Sequence, residues 1–180
     1  MKNILQAFLI ACISFTAQAQ TAIPEFKNKV MMLTKNNTLQ SLDYTPLAYA
    51  LKGKYGGAGS KGFMKADGPS ASVKYNQADG SSFIVKLDPG SDPESYITLY
   101  VFDAEKSSRR IVIWSMGMRG TKDVEIPTVK LNLKKVEDGV YIMTPAQTLE
   151  EGEYIFFVNQ PLNKSVSSDI KGYAFSVPGK

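Results

Sequence analysis

Apolar and polar residues alternate with a period of two along most of this chain. Residues 129–134 alternate Val and Leu with Lys and Asn, and residues 173–177 alternate Tyr, Phe and Val with small residues. This period predicts strands with one buried face. Turn sequences such as Asp-Gly, Asp-Pro-Gly and Glu-Gly recur between such segments. No stretch after the first nineteen residues has the period of a long amphipathic helix, so the pattern predicts an all-β protein.

Seven short strands are predicted in the part of the chain from residue 81 to 180. They span 82–87, 96–102, 110–115, 128–136, 139–144, 152–158 and 171–177. Seven strands in about 100 residues are typical of an immunoglobulin-like, two-sheet antiparallel sandwich. Residues 20–80 precede it with a predicted hairpin at 30–42 and a second strand pair near 61–66 and 71–76. Because so short a segment buries little surface by itself, we expect an N-terminal β extension that packs on the sandwich.

Two of the predicted strands are apolar on both faces. In the strand 96–102 one face carries Ile, Leu and Val, and the other carries Tyr96, Tyr100 and Phe102. The strand 154–158 has the same property. Strands of this kind are usually covered on both sides. We expect either residues 20–80 or a partner to supply the cover.

The first nineteen residues have the features of a secretory signal peptide. Lys2 precedes a mostly apolar run at 4–15, and Ala-Gln-Ala at 17–19 provides the small-x-small cleavage pattern. We expect an exported protein, located in the periplasm, at the outer membrane or outside the cell, with no transmembrane segment after cleavage. Residues 9–12 also resemble a lipoprotein cleavage box. Since the apolar run continues past Cys12, lipid attachment is not expected.

Composition then restricts the chemistry. Cys12 is the one cysteine of the chain, and the chain has no histidine. These absences exclude Ser-His-Asp and Cys-His triads and the usual zinc sites. No catalytic residue, cofactor or metal is predicted. The formal net charge of +4 falls short of a nucleic-acid footprint, so no nucleic-acid partner is expected.

Two sequence motifs resemble known proteins. Glu150-x-Gly152-x-Tyr154-x-Phe156 resembles the immunoglobulin motif Asp-x-Gly/Ala-x-Tyr-x-Cys, in which the tyrosine hydroxyl bonds to nearby backbone. Phe156 stands where the motif has its cysteine. Trp114 lies on the third of the seven strands, where that fold commonly keeps a core tryptophan. The resemblance covers roughly the last 100 residues and implies a disulfide-free relative of that architecture.

A narrower resemblance extends through the same region. Segments 96–100, 135–141 and 144–156 are similar to a group of uncharacterised exported proteins of Gram-negative bacteria. This resemblance implies an envelope setting. It implies no activity, so the function has to be argued from the candidate residues.

Two groups of residues carry the chemistry of a binding site. One surrounds a glycine-rich loop at 57–62, where freed backbone amides could bind an anion, and consists of Lys52, Lys54, Tyr55, Lys61, Phe63 and Lys65. The loop contains G-x-G-x-x-G but lacks the following helix of a dinucleotide site. The second group is the aromatic strand face Tyr96, Tyr100 and Phe102, whose rings could stack on a sugar.

Two acidic clusters suggest further possibilities. Residues 88–94 hold three carboxylates but lack the spacing of an EF-hand calcium loop, and two prolines favour a rigid turn. Glu150, Glu151 and Glu153 could be the acid and base of a hydrolase. Glycosidase carboxylates face each other across about 5–9 Å, and a single turn does not indicate that arrangement.

The leading hypothesis is therefore a non-enzymatic envelope protein, which acts as an interaction or structural module with an envelope or extracellular protein partner. The alternative is a glycan- or anion-binding module that uses the aromatic strand face or the loop at 52–65. A carboxylate-dependent hydrolase is the second alternative.

Overall fold

The computed structural model describes residues 21–53, 59–117, 120–122, 124–159, 162 and 170–179. The predicted signal segment with Cys12, and Lys54 and Tyr55 of the glycine-rich loop, lie outside the described residues. Within this part of the chain the elements follow in order as β1 (Val30–Leu33), β2 (Leu39–Ser41), β3 (Asp43–Gly53), β4 (Ser60–Asp67), β5 (Ser82–Lys86), α1 (Pro93–Tyr96), β6 (Ile97–Ala104), β7 (Ser108–Gly117), β8 (Gly120–Lys122), β9 (Thr128–Val129), β10 (Leu131–Glu137), β11 (Val140–Pro145), β12 (Gly152–Val158) and β13 (Ile170–Val177), with a short 3-10 helix at Gln77–Asp79 before β5. The all-β prediction is confirmed.

The strands form two antiparallel sheets. The first sheet has the order β10-β11-β5-β1-β2, and the second has the order β8-β7-β4-β3-β13-β12-β6-β9. Because β6 also pairs with β7, through Asp103–Arg110 and Ala104–Arg109, six strands of the second sheet form a closed barrel. The predicted immunoglobulin-like sandwich is not confirmed, since this sheet closes on itself instead of remaining open.

β3 accounts for much of this difference. It lies in a segment for which the pattern predicts no strand, and it pairs with β13 on one side and with β4 on the other. Residues 20–80 therefore supply strands to both sheets rather than a separate layer on a sandwich. The strand predicted at 71–76 is replaced by an irregular segment with one parallel bridge, between Lys74 and Ser176.

Two hydrophobic cores share the strands β6, β12 and β13. The first core lies between the sheets, where the ring centroid of Phe83 is 4.8 Å from that of Phe156 and 4.7 Å from that of Phe175. The second core fills the barrel and includes Leu47 and Phe157. The apolar residues on both faces of β6 and β12 are therefore covered, by the first sheet on one side and by the barrel interior on the other.

A buried polar network lies at the end of the barrel where β4 ends. The carboxylate of Glu153 accepts hydrogen bonds from the Ala71 amide at 2.7 Å and from Ser176 Oγ at 2.5 Å. It also contacts Arg109 Nη1 at 3.4 Å, and these two charged side chains are 8% and 5% exposed. Arg109 donates to the carbonyls of residues 67 and 68 and lies over the Phe102 ring. The network ties the irregular segment after β4 to the barrel wall.

Candidate functional site

Three barrel strands continue past the barrel wall as an arm. In the part of the chain that the structure describes, β13 begins at Ile170 and its pairing with β3 reaches Leu47, whereas β3 continues to Gly53 with β4 as its partner. β4 remains paired with β7 along this length, and β7 pairs in turn with β8. We define the arm as residues 48–53, 60–65, 111–117 and 120–122; its base, with Met64, Ile111 and Ile113, still belongs to the second core. It lies at the opposite end of the barrel from the buried network.

One face of the arm continues the apolar lining of the barrel into solvent. Directly paired residues of neighbouring strands share a face, so the pairs Leu51–Gly62 and Gly62–Trp114 place Leu51 and Trp114 on one side. Tyr49 and Met116 lie on the same side by alternation. Tyr49, Leu51 and Met116 are 38%, 63% and 47% exposed, and Trp114 is half-buried. We call this surface the apolar face of the arm.

Gly62 determines the position of the Trp114 ring. A Cβ atom at residue 62 would overlap Nε1 and Cε2 of Trp114, because the indole lies directly against the glycine backbone. The indole Nε1 donates a hydrogen bond to Tyr49 Oη at 3.2 Å. The ring therefore spans the arm from β7 to β3, and it belongs to the one tryptophan of the chain.

The opposite face of the arm is basic. Lys52 and Lys61 are directly paired across β3 and β4, and both are exposed. Like charges at directly opposite positions destabilise a strand pair. Among the described residues neither lysine forms a salt bridge. We call this surface the lysine face of the arm.

The chain segments that form the arm contain no acidic residue. Residues 44–66 and 106–122 hold nine Lys or Arg and no Asp or Glu. Arg109 is compensated by Glu153, and Arg110 contacts acidic residues of β6 and the turn after it. Lys52 and Lys61 have no such compensation, so the arm carries excess positive charge.

The structure brings together part of the predicted loop site. Lys52, Lys61, Phe63 and Lys65 all lie on the lysine face. Lys65 Nζ is 3.8 Å from Asp67 Oδ1, and the Phe63 ring lies 5.7 Å from the guanidinium of Arg110. The exposed aromatic and aliphatic side chains of the arm lie on its other face.

The aromatic strand face does not form a sugar platform. Tyr100 and Phe102 are buried inside the barrel, where Tyr100 packs edge-on against Phe157 at 5.4 Å between ring centroids. Tyr96 belongs to the short helix α1 and is partly exposed by itself. The three rings therefore do not form one surface, because the closed barrel covers the face of β6 that carries Tyr100 and Phe102.

The tyrosine motif of the sequence makes the hydrogen bond that its resemblance implies. Tyr154 Oη donates to the carbonyl of Glu150 at 2.9 Å, and the ring lies against Gly152. Burial raises the pKa of Tyr154. Phe156 is fully buried in the first core. Trp114, by contrast, is not in the middle of a core but lies on the apolar face of the arm.

The acidic clusters do not converge on a cleft. Glu153 is enclosed by the buried network, whereas Glu150 and Glu151 are exposed. In the 88–94 turn, Asp92 caps α1 by accepting from the amide of residue 94 and from Ser95 Oγ, and these bonds lower the pKa of its carboxyl group. Asp88 pairs with Lys27. Within the described residues no group of three or more acidic side chains is arranged to hold a metal ion.

Tyr49, Leu51 and Met116 are not among the predicted site residues, because the pattern predicts no strand at β3 and because isolated apolar residues are common. The signal that could have found them is the acid-free composition of residues 44–66 and 106–122. Two such segments that pair in one sheet necessarily form a basic surface.

The comparisons with known proteins add no relative. No protein-family model matches the chain, and neither the curated proteins nor the solved structures include a match. In the part of the chain that the structure describes, no helix is long and apolar enough to cross a membrane.

Proposed function

We propose that this protein is a non-enzymatic binding module of the bacterial envelope that docks onto an anionic partner through its arm. The observation that carries this proposal is the exposure of Tyr49, Leu51 and Met116 around Trp114 on the apolar face. Single exposed apolar residues are normal on a soluble protein, whereas a contiguous group marks an interaction surface. Exposed apolar residues such as Phe26 and Val136 lie outside the arm: Phe26 precedes β1, and Val136 is on β10 of the first sheet.

The lysine face supports the same proposal. Lys52 and Lys61 oppose each other without an acidic partner among the described residues, which is unfavourable for the isolated fold. An anionic partner removes this repulsion when it binds. The hydrogen bond between Trp114 and Tyr49 holds the aromatic side chains in place beforehand, and such preorganisation reduces the entropy lost on binding.

The envelope location rests on the sequence. The signal-like segment at residues 1–19 and the resemblance to exported Gram-negative proteins support it. The architecture supports a binding role rather than catalysis, because the carboxylates singled out by the sequence are enclosed, paired or separated. The resemblance to the immunoglobulin motif extends to the local hydrogen bond of Tyr154 with the Glu150 carbonyl, and the proposal does not use it further.

The proposal is tested by fractionating cells that express the full chain. The variant Leu51→Ser/Met116→Ser changes two exposed side chains of the arm. We expect it to shift from the particulate envelope fraction to the soluble envelope extract, while the unchanged protein remains particulate. The matched control is Phe26→Ser/Val136→Ser, which removes exposed apolar side chains elsewhere and should fractionate like the unchanged protein. Equal fractionation of all three proteins, with equal melting temperatures, would contradict the proposal.

A further inference from the structure

We infer that the partner of the arm is the surface of an anionic lipid bilayer, an inference that rests on the proposed docking role of the arm. Its two faces have the composition of a structure that lies at a membrane interface. Trp and Tyr concentrate at the boundary between headgroups and hydrocarbon, and Trp114 and Tyr49 lie together here. Leu51 and Met116 extend the same face with aliphatic side chains that enter hydrocarbon at no polar cost.

The lysine face has the complementary property. Lys52 and Lys61 lie on the strands that carry Tyr49, Leu51 and Gly62, but on the opposite side of the sheet. When the apolar face lies against the hydrocarbon boundary, the sheet is at the level of the headgroups, and the long lysine side chains on its other side reach lipid phosphates with their ammonium groups. Positive charge near an anionic leaflet is attracted within a Debye length. The acid-free segments 44–66 and 106–122 present no opposing repulsion.

The geometry limits binding to the interface. The β3 part of the arm, residues 48–53, is shorter than the about 9–11 residues that a strand needs to span a bilayer. β8 is the last strand of its sheet, so its outer edge has no strand partner among the described residues. Unpaired backbone groups are not tolerated in hydrocarbon. The arm therefore rests in the headgroup region, with the barrel outside the membrane.

Other partners fit the arm less well. A second copy of the chain would bring two basic arms together, which like charges oppose. An acidic polysaccharide would match Lys52 and Lys61 and could stack on Trp114, but it would leave the most exposed side chains, Leu51 and Met116, without an apolar contact. A bilayer surface satisfies both faces of the arm at once.

The test uses protein purified from cells that express the full chain. The protein is mixed with vesicles of phosphatidylcholine and anionic phosphatidylglycerol, or with vesicles of phosphatidylcholine alone. Co-sedimentation measures binding, and the emission of Trp114 reports insertion because the chain has one tryptophan. We expect binding and a blue shift with the anionic vesicles at low salt, and little of either with neutral vesicles.

Two variants separate the contributions of the faces. Lys52→Gln/Lys61→Gln should weaken binding to the anionic vesicles by about 25-fold, at about fivefold for each lysine near an anionic surface. Leu51→Ser/Met116→Ser should weaken it by at least about tenfold. The controls Lys130→Gln/Lys134→Gln and Phe26→Ser/Val136→Ser change exposed residues outside the arm and should bind like the unchanged protein.

The bilayer inference is overturned if the anionic vesicles neither pellet the protein nor shift the Trp114 emission, or if the arm variants bind as tightly as the controls. If this occurs while Leu51→Ser/Met116→Ser still alters cell fractionation, the docking role of the arm stands and its partner is a protein or a glycan. If fractionation is also unchanged, both proposals fail together.

Discussion

Replacement of Arg109 by methionine tests whether the buried network stabilises the barrel as an ionic unit. The change removes the hydrogen bonds to the carbonyls of residues 67 and 68 and the contact with the Phe102 ring. It also leaves the carboxylate of Glu153 buried without its counter-charge. Removing one partner of a buried ion pair typically destabilises a protein by about 3–5 kcal/mol, and we expect a loss in this range.

The partner variant Glu153→Gln should be milder. The closest contacts of Glu153 are with the Ala71 amide and Ser176 Oγ, at 2.7 and 2.5 Å, whereas Arg109 is 3.4 Å away. A glutamine oxygen can still accept the hydrogen bond of the Ala71 amide. The loss is then one charge-assisted interaction, about 1.5–3 kcal/mol. Arg109 keeps its two carbonyl acceptors.

The double variant distinguishes an ionic unit from two independent hydrogen-bonding residues. Arg109→Met/Glu153→Gln buries no unpaired charge. Its loss of unfolding free energy should therefore be smaller than the sum of the losses of the two single variants, by about 0.5–3 kcal/mol. Urea unfolding followed by circular dichroism measures all four proteins, with similar m-values as the control. Additive losses, or a loss below about 1 kcal/mol for Arg109→Met, would refute the reasoning.

Three further predictions concern tyrosine titration and local packing. Burial raises the pKa of Tyr75 from 10.0 to about 12. Because the unfolded chain then releases this proton first, the stability present below pH 10 is lost between pH 10 and 12, by up to about 3 kcal/mol. Tyr75→Phe should flatten this part of a profile of urea stability against pH, and an unchanged profile would exclude Tyr75 as its source. Tyr154→Phe removes the hydrogen bond to the Glu150 carbonyl and should lower the free energy of unfolding by about 1 kcal/mol, whereas no change in the urea midpoint would mean that water replaces this bond. Gly62→Ala forces the Trp114 ring away from the β4 backbone. The variant should lose about 1–3 kcal/mol of stability, and its tryptophan emission should move to longer wavelength. An unaltered emission spectrum would contradict the described packing.

The period of two in the sequence identified strands that have one buried face and one solvent-exposed face. The predicted bounds 152–158 agree with β12, and the hairpin around Asn36 is present as β1 and β2. At 71–76 the alternation is also real, because Ala71, Val73 and Tyr75 are buried and the residues between them are exposed. Alternation reports burial rather than hydrogen bonding, however, and this segment has only a single bridge to β13.

β3 was missed because its tyrosines and threonine, which favour strands, are interspersed with residues that are depleted in strands. Asp43–Gly53 contains proline, two alanines and a terminal glycine, and its place in the barrel comes from pairing with distant strands rather than from local propensity. The candidate site failed to emerge for the same reason. The lysines at 52 and 61 were recognised from sequence, but Tyr49 and Leu51 could be placed beside Trp114 only when the register of β3, β4 and β7 was known.

The position of β13 in the barrel has a consequence for how the chain reaches its native state. β13 follows every other described strand along the chain, yet it lies between β12 and β3, with Tyr173 opposite Tyr44. The barrel cannot close until β13 has been synthesised, because β3 and β12 have no direct pairing with each other. Such distant pairing predicts slow folding, and a nascent chain truncated before residue 170 should remain open and sensitive to protease.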